Sequence, residues 1–429
     1  MNIDKILLLI GKITGEMLIM KRRASRRMKR IRNLIIMSTL AAIIFTVSTY
    51  AWFIGMRSVH VTSFDVEIAV TDSLLLSIDG ASWSETVSIS PGDFDEDYPY
   101  PSHTSSWGGA GLIPMSSIGK MDVEASRMML YEKASFTPTP GGFRLMASRV
   151  LNYEQDADEQ EGYVVFDLFI RNFTGTQYLP ELNPSDEEAI YLTTDSEVTV
   201  SLDGGVPGTG IENSVRVAFA QIGRVAGTTT DATTIRGISC NADENGDPSI
   251  VGPVTGICRT AQIWEPNDTK HVAAAISWYQ TSCRPRKIDG TDVTKEESFD
   301  LEGTCGGVVD GTAYPTYAVS TAITSDDNID IYDGVEYNGY TGSSKLVSYS
   351  YFTDTMKNLT GVQRPQFMTL APNSITKVRI YIFIEGQDID NYDFAQIGKK
   401  ITVKFGFTKE RFTEDDIDYQ GPPLNPEEI

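Results

Sequence analysis

The chain reads as an all-β protein. The expected fold is an antiparallel β-sandwich of jelly-roll type with a disulfide-stapled insertion, behind one N-terminal membrane or signal helix. Three observations predict this class. Five segments after residue 57 alternate apolar and polar residues with a period of two. Gly, Pro, Asn and Asp punctuate the gaps between them. One uncharged apolar run, Asn33 to Met56, follows directly on a basic block.

The N-terminal element is read from that block. Eight basic residues fall within Lys21–Arg32 with no acid among them. A run of roughly 20 apolar residues crosses a bilayer as a helix, and flanking positive charge stays in the cytoplasm. Residues 1–32 are therefore expected to be a cytoplasmic basic leader and 33–56 a signal peptide or membrane anchor, with everything after Arg57 outside. Thr49-Tyr50-Ala51 has the small-x-small pattern of a cleavage site, which places the cut between Ala51 and Trp52. The apolar run is long for a signal peptide, so an uncleaved anchor is the alternative.

An extracellular β domain is expected over 57–412. "FDVEIAV" (Phe64–Val70) puts Phe64, Val66, Ile68 and Val70 on one face. "LLLSIDGASW" (Leu74–Trp83) carries Asp79-Gly80, a hairpin signal. Further alternating strands are "YVVFDLFIRN" (Tyr163–Asn172), "SVRVAFAQI" (Ser214–Ile222), "KVRIYIFIEG" (Lys377–Gly386) and "KITVKFGFTK" (Lys400–Lys409). "KMDVEASRMMLYEKAS" (Lys120–Ser135) is the best candidate for an amphipathic helix. The first strand follows the export segment and the last clear one ends near Thr408, so the two ends should share one core. Residues 223–311, rich in Thr, Gly, Asp and Cys, read as an inserted elaboration, and 413–429 as a mobile acidic tail.

Charge narrows the partners. Ten of the 36 basic residues but two of the 58 acidic ones lie in Met1–Ala51; the remainder carries 26 against 56, a formal charge of −30. So acidic a surface argues against nucleic acid and anionic lipid. All four cysteines, Cys240, Cys258, Cys283 and Cys305, lie in the insertion. Outside the cell they imply two disulfides, with sequential pairing preferred among three connectivities and no CxxC spacing for zinc.

The candidate sites are few. No cofactor is implied other than calcium, for which Asn241, Asp243, Asn245 and Asp247 resemble the start of a calcium loop. Its twelfth position is Gly252 instead of a bidentate Glu, and a plain Asn/Asp turn is the competing reading. Trp264–Asp268 offers a sugar-stacking Trp, against a core Trp at a strand end. Glu385–Asn391 offers carboxylates for a cation, against a solvated turn. HExxH and GxSxG are both missing, and His60, His103 and His271 are far apart, so no enzyme is expected.

The junction "TYAWF" (Thr49–Phe53) followed by "VTSFDVEIAVTDSLLLSIDGASW" (Val61–Trp83) resembles the TasA/camelysin group of secreted surface and biofilm-matrix proteins. "VRVAFAQI", "AQIWEPNDTKH" (Ala261–His271) and "TLAPNSITKVRIYIFIEGQDIDN" (Thr369–Asn391) resemble blocks of large bacterial surface proteins with such an N-terminus. The resemblance covers about a third of the chain. It implies a jelly-roll-like sandwich and a structural role at the cell surface or in a matrix fibre. Self-association would then use Phe64, Val66, Ile68 and Val70 as a strand donated to a neighbour. A membrane-tethered carbohydrate-binding module, with polysaccharide as partner and residues 33–56 as anchor, is the alternative.

Overall fold

The computed structural model describes residues 64–70, 74–89, 111–139, 142–150, 162–282, 309–324, 345–413 and 416, apart from 203, 315–316 and 393–399. The basic leader, the apolar segment 33–56, Ala51, Trp52, Cys283 and Cys305 lie outside the described residues, as does the tail apart from Thr413 and Asp416.

The described chain is mostly β. Its first strands are β1 (Phe64–Val70), β2 (Leu74–Ser77), β3 (Thr86–Ile89), β4 (Pro114–Ser116), β5 (Met121–Asp122), β6 (Arg127–Met128) and β7 (Tyr131–Thr139). Next come β8 (Gly142–Arg149), β9 (Val164–Asn172), β10 (Glu188–Leu192), β11 (Glu197–Val200), β12 (Val215–Ala226), β13 (Ile250–Val251) and β14 (Val254–Gly256). The last are β15 (Gln262–Glu265), β16 (Tyr317–Val319), β17 (Leu346–Ser348), β18 (Phe352–Thr353), β19 (Met368–Leu370), β20 (Ser374–Glu385) and β21 (Ile401–Thr408).

Two open sheets hold most of these strands. A six-stranded sheet runs β19-β10-β21-β1-β3, with β11 also on β21. An eleven-stranded sheet runs β13-β14-β12-β20-β4-β7-β8; β15 joins it on β12, β18 on β15, β9 on β20 and β2 on β9. The first and last strands pair, but in parallel, Phe64 beside Ile401 through Val70 beside Phe407. β4 on β20 and β15 on β18 are parallel too, so the expected antiparallel pattern is corrected to a mixed one. No hairpin joins these pairs, and a long connection leaves strand direction free.

Alternation places the core. Val164, Phe166, Leu168 and Ile170 of β9 and Val378, Ile380, Ile382 and Ile384 of β20 fall in one apolar cluster with Val66, Ile68, Ile190, Leu192, Ile401, Val403, Phe405 and Phe407 of the smaller sheet. Phe219 of β12 meets Phe367 and Phe405 edge-on, at 4.8 and 5.0 Å between centroids, a favoured aromatic geometry. The opposite face of the large sheet is buried as well. There Val165, Phe169, Tyr381 and Phe383, with Ile263 of β15, cluster with Met128, Leu130, Ile235, Ile238 and Cys240. β20 is consequently buried at every position.

Two expectations fail locally. The helix expected over Lys120–Ser135 is instead the β5–β6 pair and the start of β7. Met121 faces Met128 across a turn in which Ser126 has φ 55° and the Asp122 carboxylate accepts from Ala125 N at 3.2 Å. Helical spacing of these methionines was a by-product of a turn that brings both into the second core. The boundary at 223 falls inside β12, where the ladder to β20 shifts register between Gln221 and Gly223. A Cβ on Gly223 would stand 2.7 Å from Ser239 O, so this glycine marks a bulge under a close chain crossing, not the edge of an insertion. Cys240 and Cys258 are joined in a disulfide with their Cα atoms 5.4 Å apart, and Cys240 is part of the second core.

Candidate functional site

Two stretches singled out in the sequence meet at one end of the large sheet. β15 and β20 flank β12, so their ends bring Glu265 and the Glu385–Asn391 turn to either side of Arg216, the second residue of β12. The turn forms because the apolar run of β20 stops at Glu385. Asp388 N then bonds Glu385 O at 3.3 Å, and Asp390 N bonds Asp388 Oδ1 at 2.8 Å.

Arg216 is wholly buried, and its guanidinium fork organises the site. Nη2 donates to Glu265 Oε1 at 2.5 Å and Asp388 Oδ2 at 2.7 Å, while Nη1 donates to the carbonyls of Val215 and Asn213 at 3.0 and 3.2 Å. Its carbon lies 4.9 Å above the Tyr351 ring, a cation–π contact. Tyr351 donates its hydroxyl to Glu385 Oε2 at 2.7 Å, and Gln387 N donates to the other oxygen at 3.1 Å. Burial pushes the Glu385 carboxyl up to about 7, against the opposing pull of Arg216 and Tyr351. Burial also lifts the Tyr351 hydroxyl well above its ordinary range, with the charge of Glu385 adding to it.

His271 ties two further loops to this end. Its Nδ1 lies 2.7 Å from Asp390 Oδ2 and its Nε2 3.0 Å from Thr312 O, while its backbone N donates to Asp310 Oδ1 at 3.0 Å. A carboxylate and a carbonyl both accept, so the imidazolium satisfies both contacts at once. Burial opposes that charge, but Asp390 outweighs it and the His271 pKa is raised. Asp390 is itself pushed up to about 6 by burial, with His271 pulling the other way. Between these groups lies a cleft of about 10 Å³, lined by Asn213, Glu265, Asn267, Asp268, Tyr314 and Asp388, with room for about one water.

Trp264 is not a sugar platform. It is 0 % exposed, and its Nε1 donates to Asp354 Oδ1 at 2.7 Å on the short helix Asp354–Lys357. The Lys357 ammonium sits 5.4 Å from the ring centroid. Asn267 takes a left-handed conformation, φ 60°, and its Nδ2 donates to Val198 O at 2.9 Å, tying this turn to β11.

The remaining sequence candidates lie elsewhere. In Asn241–Asp247 the Asp243 carboxylate accepts from the backbone N–H of Asn245 and Asp247 at 2.8 and 3.0 Å, and Gly246 turns with φ 84°. These bonds hold the Asp243 pKa down. Among the described residues no group of three or more His, Cys, Asp or Glu is arranged to hold a metal ion, and no helix is long and apolar enough to cross a membrane. Val66 and Ile68 are buried in the molecule's own core. The sequence reading missed Arg216 and Tyr351. The available signal for Arg216 was an arginine at the start of an apolar strand whose neighbour ends in a glutamate.

No protein-family model, curated protein or solved structure matches this chain. Chemically, the Arg216 end is a buried network in which the cations Arg216 and His271 face the carboxylates of Glu265, Asp388, Asp390 and Glu385. Such a network fixes strand ends and loops in one arrangement.

Proposed function

We propose that the protein is an exported structural component of the cell surface or extracellular matrix, folded as a jelly-roll-like sandwich, whose copies associate by exchanging β1. One observation carries this reading. The strand that follows the apolar N-terminal segment in sequence is held on both edges, by β21 from Phe64 to Val70 and by β3 from Val66 to Ala69. A simple added strand, as the family resemblance implies, would leave β1 outside its own sheet; here it fills a slot in the middle. Withdrawing β1 exposes two unpaired edges and the pockets of Val66 and Ile68, and a second copy's β1 matches that slot residue for residue. Exchanged and unexchanged forms make the same contacts, so the balance between them rests on local concentration and linker length. The basic-then-apolar N-terminus, the acidic remainder, the Cys240–Cys258 disulfide and the TasA/camelysin-like junction support export and a structural role.

The test uses Glu67 and Lys404, which face each other across the β1–β21 ladder. Glu67→Cys with Lys404→Cys should give an intramolecular disulfide in freshly secreted monomer and a ladder of covalent multimers in surface-assembled material. Assembled material holding only intramolecular disulfides would refute exchange and reduce β1 to a core strand.

A further inference from the structure

Away from the Arg216 end, three side chains from three strands converge in an arrangement suited to covalent chemistry. Asn172 is the last residue of β9 in the large sheet, Glu188 opens β10 in the smaller one, and Lys409 directly follows β21. Asn172 is 0 % exposed. Lys409 Nζ donates to Asn172 Oδ1 at 2.7 Å, Asn172 Nδ2 donates to Glu188 Oε2 at 2.7 Å, and Lys409 Nζ lies 3.1 Å from that same Glu188 oxygen. The three groups form a closed triangle.

We propose that Lys409 and Asn172 form an intramolecular amide bond, made by the protein itself with Glu188 as the proton carrier and the side-chain nitrogen of Asn172 released as ammonium. The orientation of the amide follows from its neighbours. Oδ1 faces only donors, Lys409 Nζ, Thr174 N at 3.1 Å and Thr174 Oγ1 at 2.9 Å; Nδ2 faces only acceptors, Glu188 and Ala371 O at 3.0 Å. Thr174 Oγ1 is also bonded to Lys409 Nζ. Two donors from Thr174 thus sit where negative charge would develop on Oδ1, as in an oxyanion hole.

The steps balance without an oxidant. Glu188 takes a proton from the Lys409 ammonium, freeing the amine lone pair. The amine shifts from the oxygen onto Cγ and forms the Nζ–Cγ bond, giving a tetrahedral centre whose oxyanion is held by Thr174. When Cγ–Nδ2 breaks, Nδ2 takes the second Nζ proton and the one held by Glu188 and leaves as ammonium, the third Nζ proton stays on the new amide, and Glu188 ends as the carboxylate it began as. Holding all three groups together in the fold replaces an encounter that free side chains would rarely make. The new bond would tie the end of β9 to the end of β21, one strand from each sheet. This inference stands apart from the export and assembly reading.

Peptide mapping of the full-length chain tests it. Reduced, alkylated and digested protein should yield the Asn172 peptide joined to the Lys409 peptide, lighter than their sum by one ammonia, with tryptic cleavage after Lys409 blocked. Glu188→Gln should return the two peptides separately at their unmodified masses. Asn172→Asp should still join, with water lost in place of ammonia. Recovery of Asn172 and Lys409 in separate wild-type peptides, whether Asn172 is intact or deamidated, would overturn the proposal. A joined peptide undiminished in Glu188→Gln would overturn the part assigned to Glu188.

Discussion

Glu385→Gln should make the protein more stable at alkaline pH and leave it little changed in acid. The glutamate is fully buried, and its pKa is pushed from the ordinary 4.5 to about 7. An acid whose folded pKa lies above its unfolded one contributes stability below the unfolded value, and loses it as pH rises toward the folded value. The affected window is therefore about pH 4.5 to 7. At 1.36 kcal/mol per pKa unit, wild type should lose on the order of 2–3 kcal/mol from Glu385 alone between about pH 5 and about pH 8. Glutamine keeps the shape, still accepts from Gln387 N through its carbonyl, and presents an N–H to the Tyr351 hydroxyl, which can accept as well as donate. Other titrating groups, His271 and Asp390 included, contribute to both proteins and largely cancel in the difference. Urea unfolding of wild type and variant at both pH values reads the effect directly. A difference between the two proteins that is the same at both pH values would refute the reasoning, because it would mean that Glu385 keeps its charge throughout.

Other expectations follow from the same structure. Arg216→Met should destabilise by about 3–5 kcal/mol in urea unfolding near neutrality, since it leaves Glu265 and Asp388 buried without their cation. Replacing Cys240 and Cys258 with Ser should cost about 2–4 kcal/mol relative to the oxidised protein; an unchanged urea midpoint would show that the loop is held by packing alone.

The strands were legible because alternation is a local signal. Phe64–Val70 was read to the residue, and the strands around Val164, Val215, Val378 and Ile401 to within a few positions. The reading erred where the polar positions of an alternating strand are themselves large. In β20, Tyr381 and Phe383 call for a second apolar cover, and Met128 and Ile238 supply it, one from the stretch expected to be a helix and one from the expected insertion. Parallel pairing was equally hidden, since nothing in Phe64–Val70 encodes the direction of a partner at Ile401. Of the polar site, its edges were visible as Glu265 and Glu385–Asn391. Their meeting around Arg216 was not, because it depends on β12 lying between β15 and β20.

The pairing of β1 with β21 also sets an order of events. Residue 64 is among the first of the described residues to be made and residue 401 among the last, yet they lie side by side. The smaller sheet cannot close until nearly the whole chain has emerged, and contacts of such long sequence separation form slowly. Until then β1 can pair with β3 but keeps its other edge open, the condition in which chains aggregate or pair with one another. Any factor that shields the nascent chain therefore has its longest task at the N-terminal end, and a chain truncated before Ile401 should fail to close its smaller sheet.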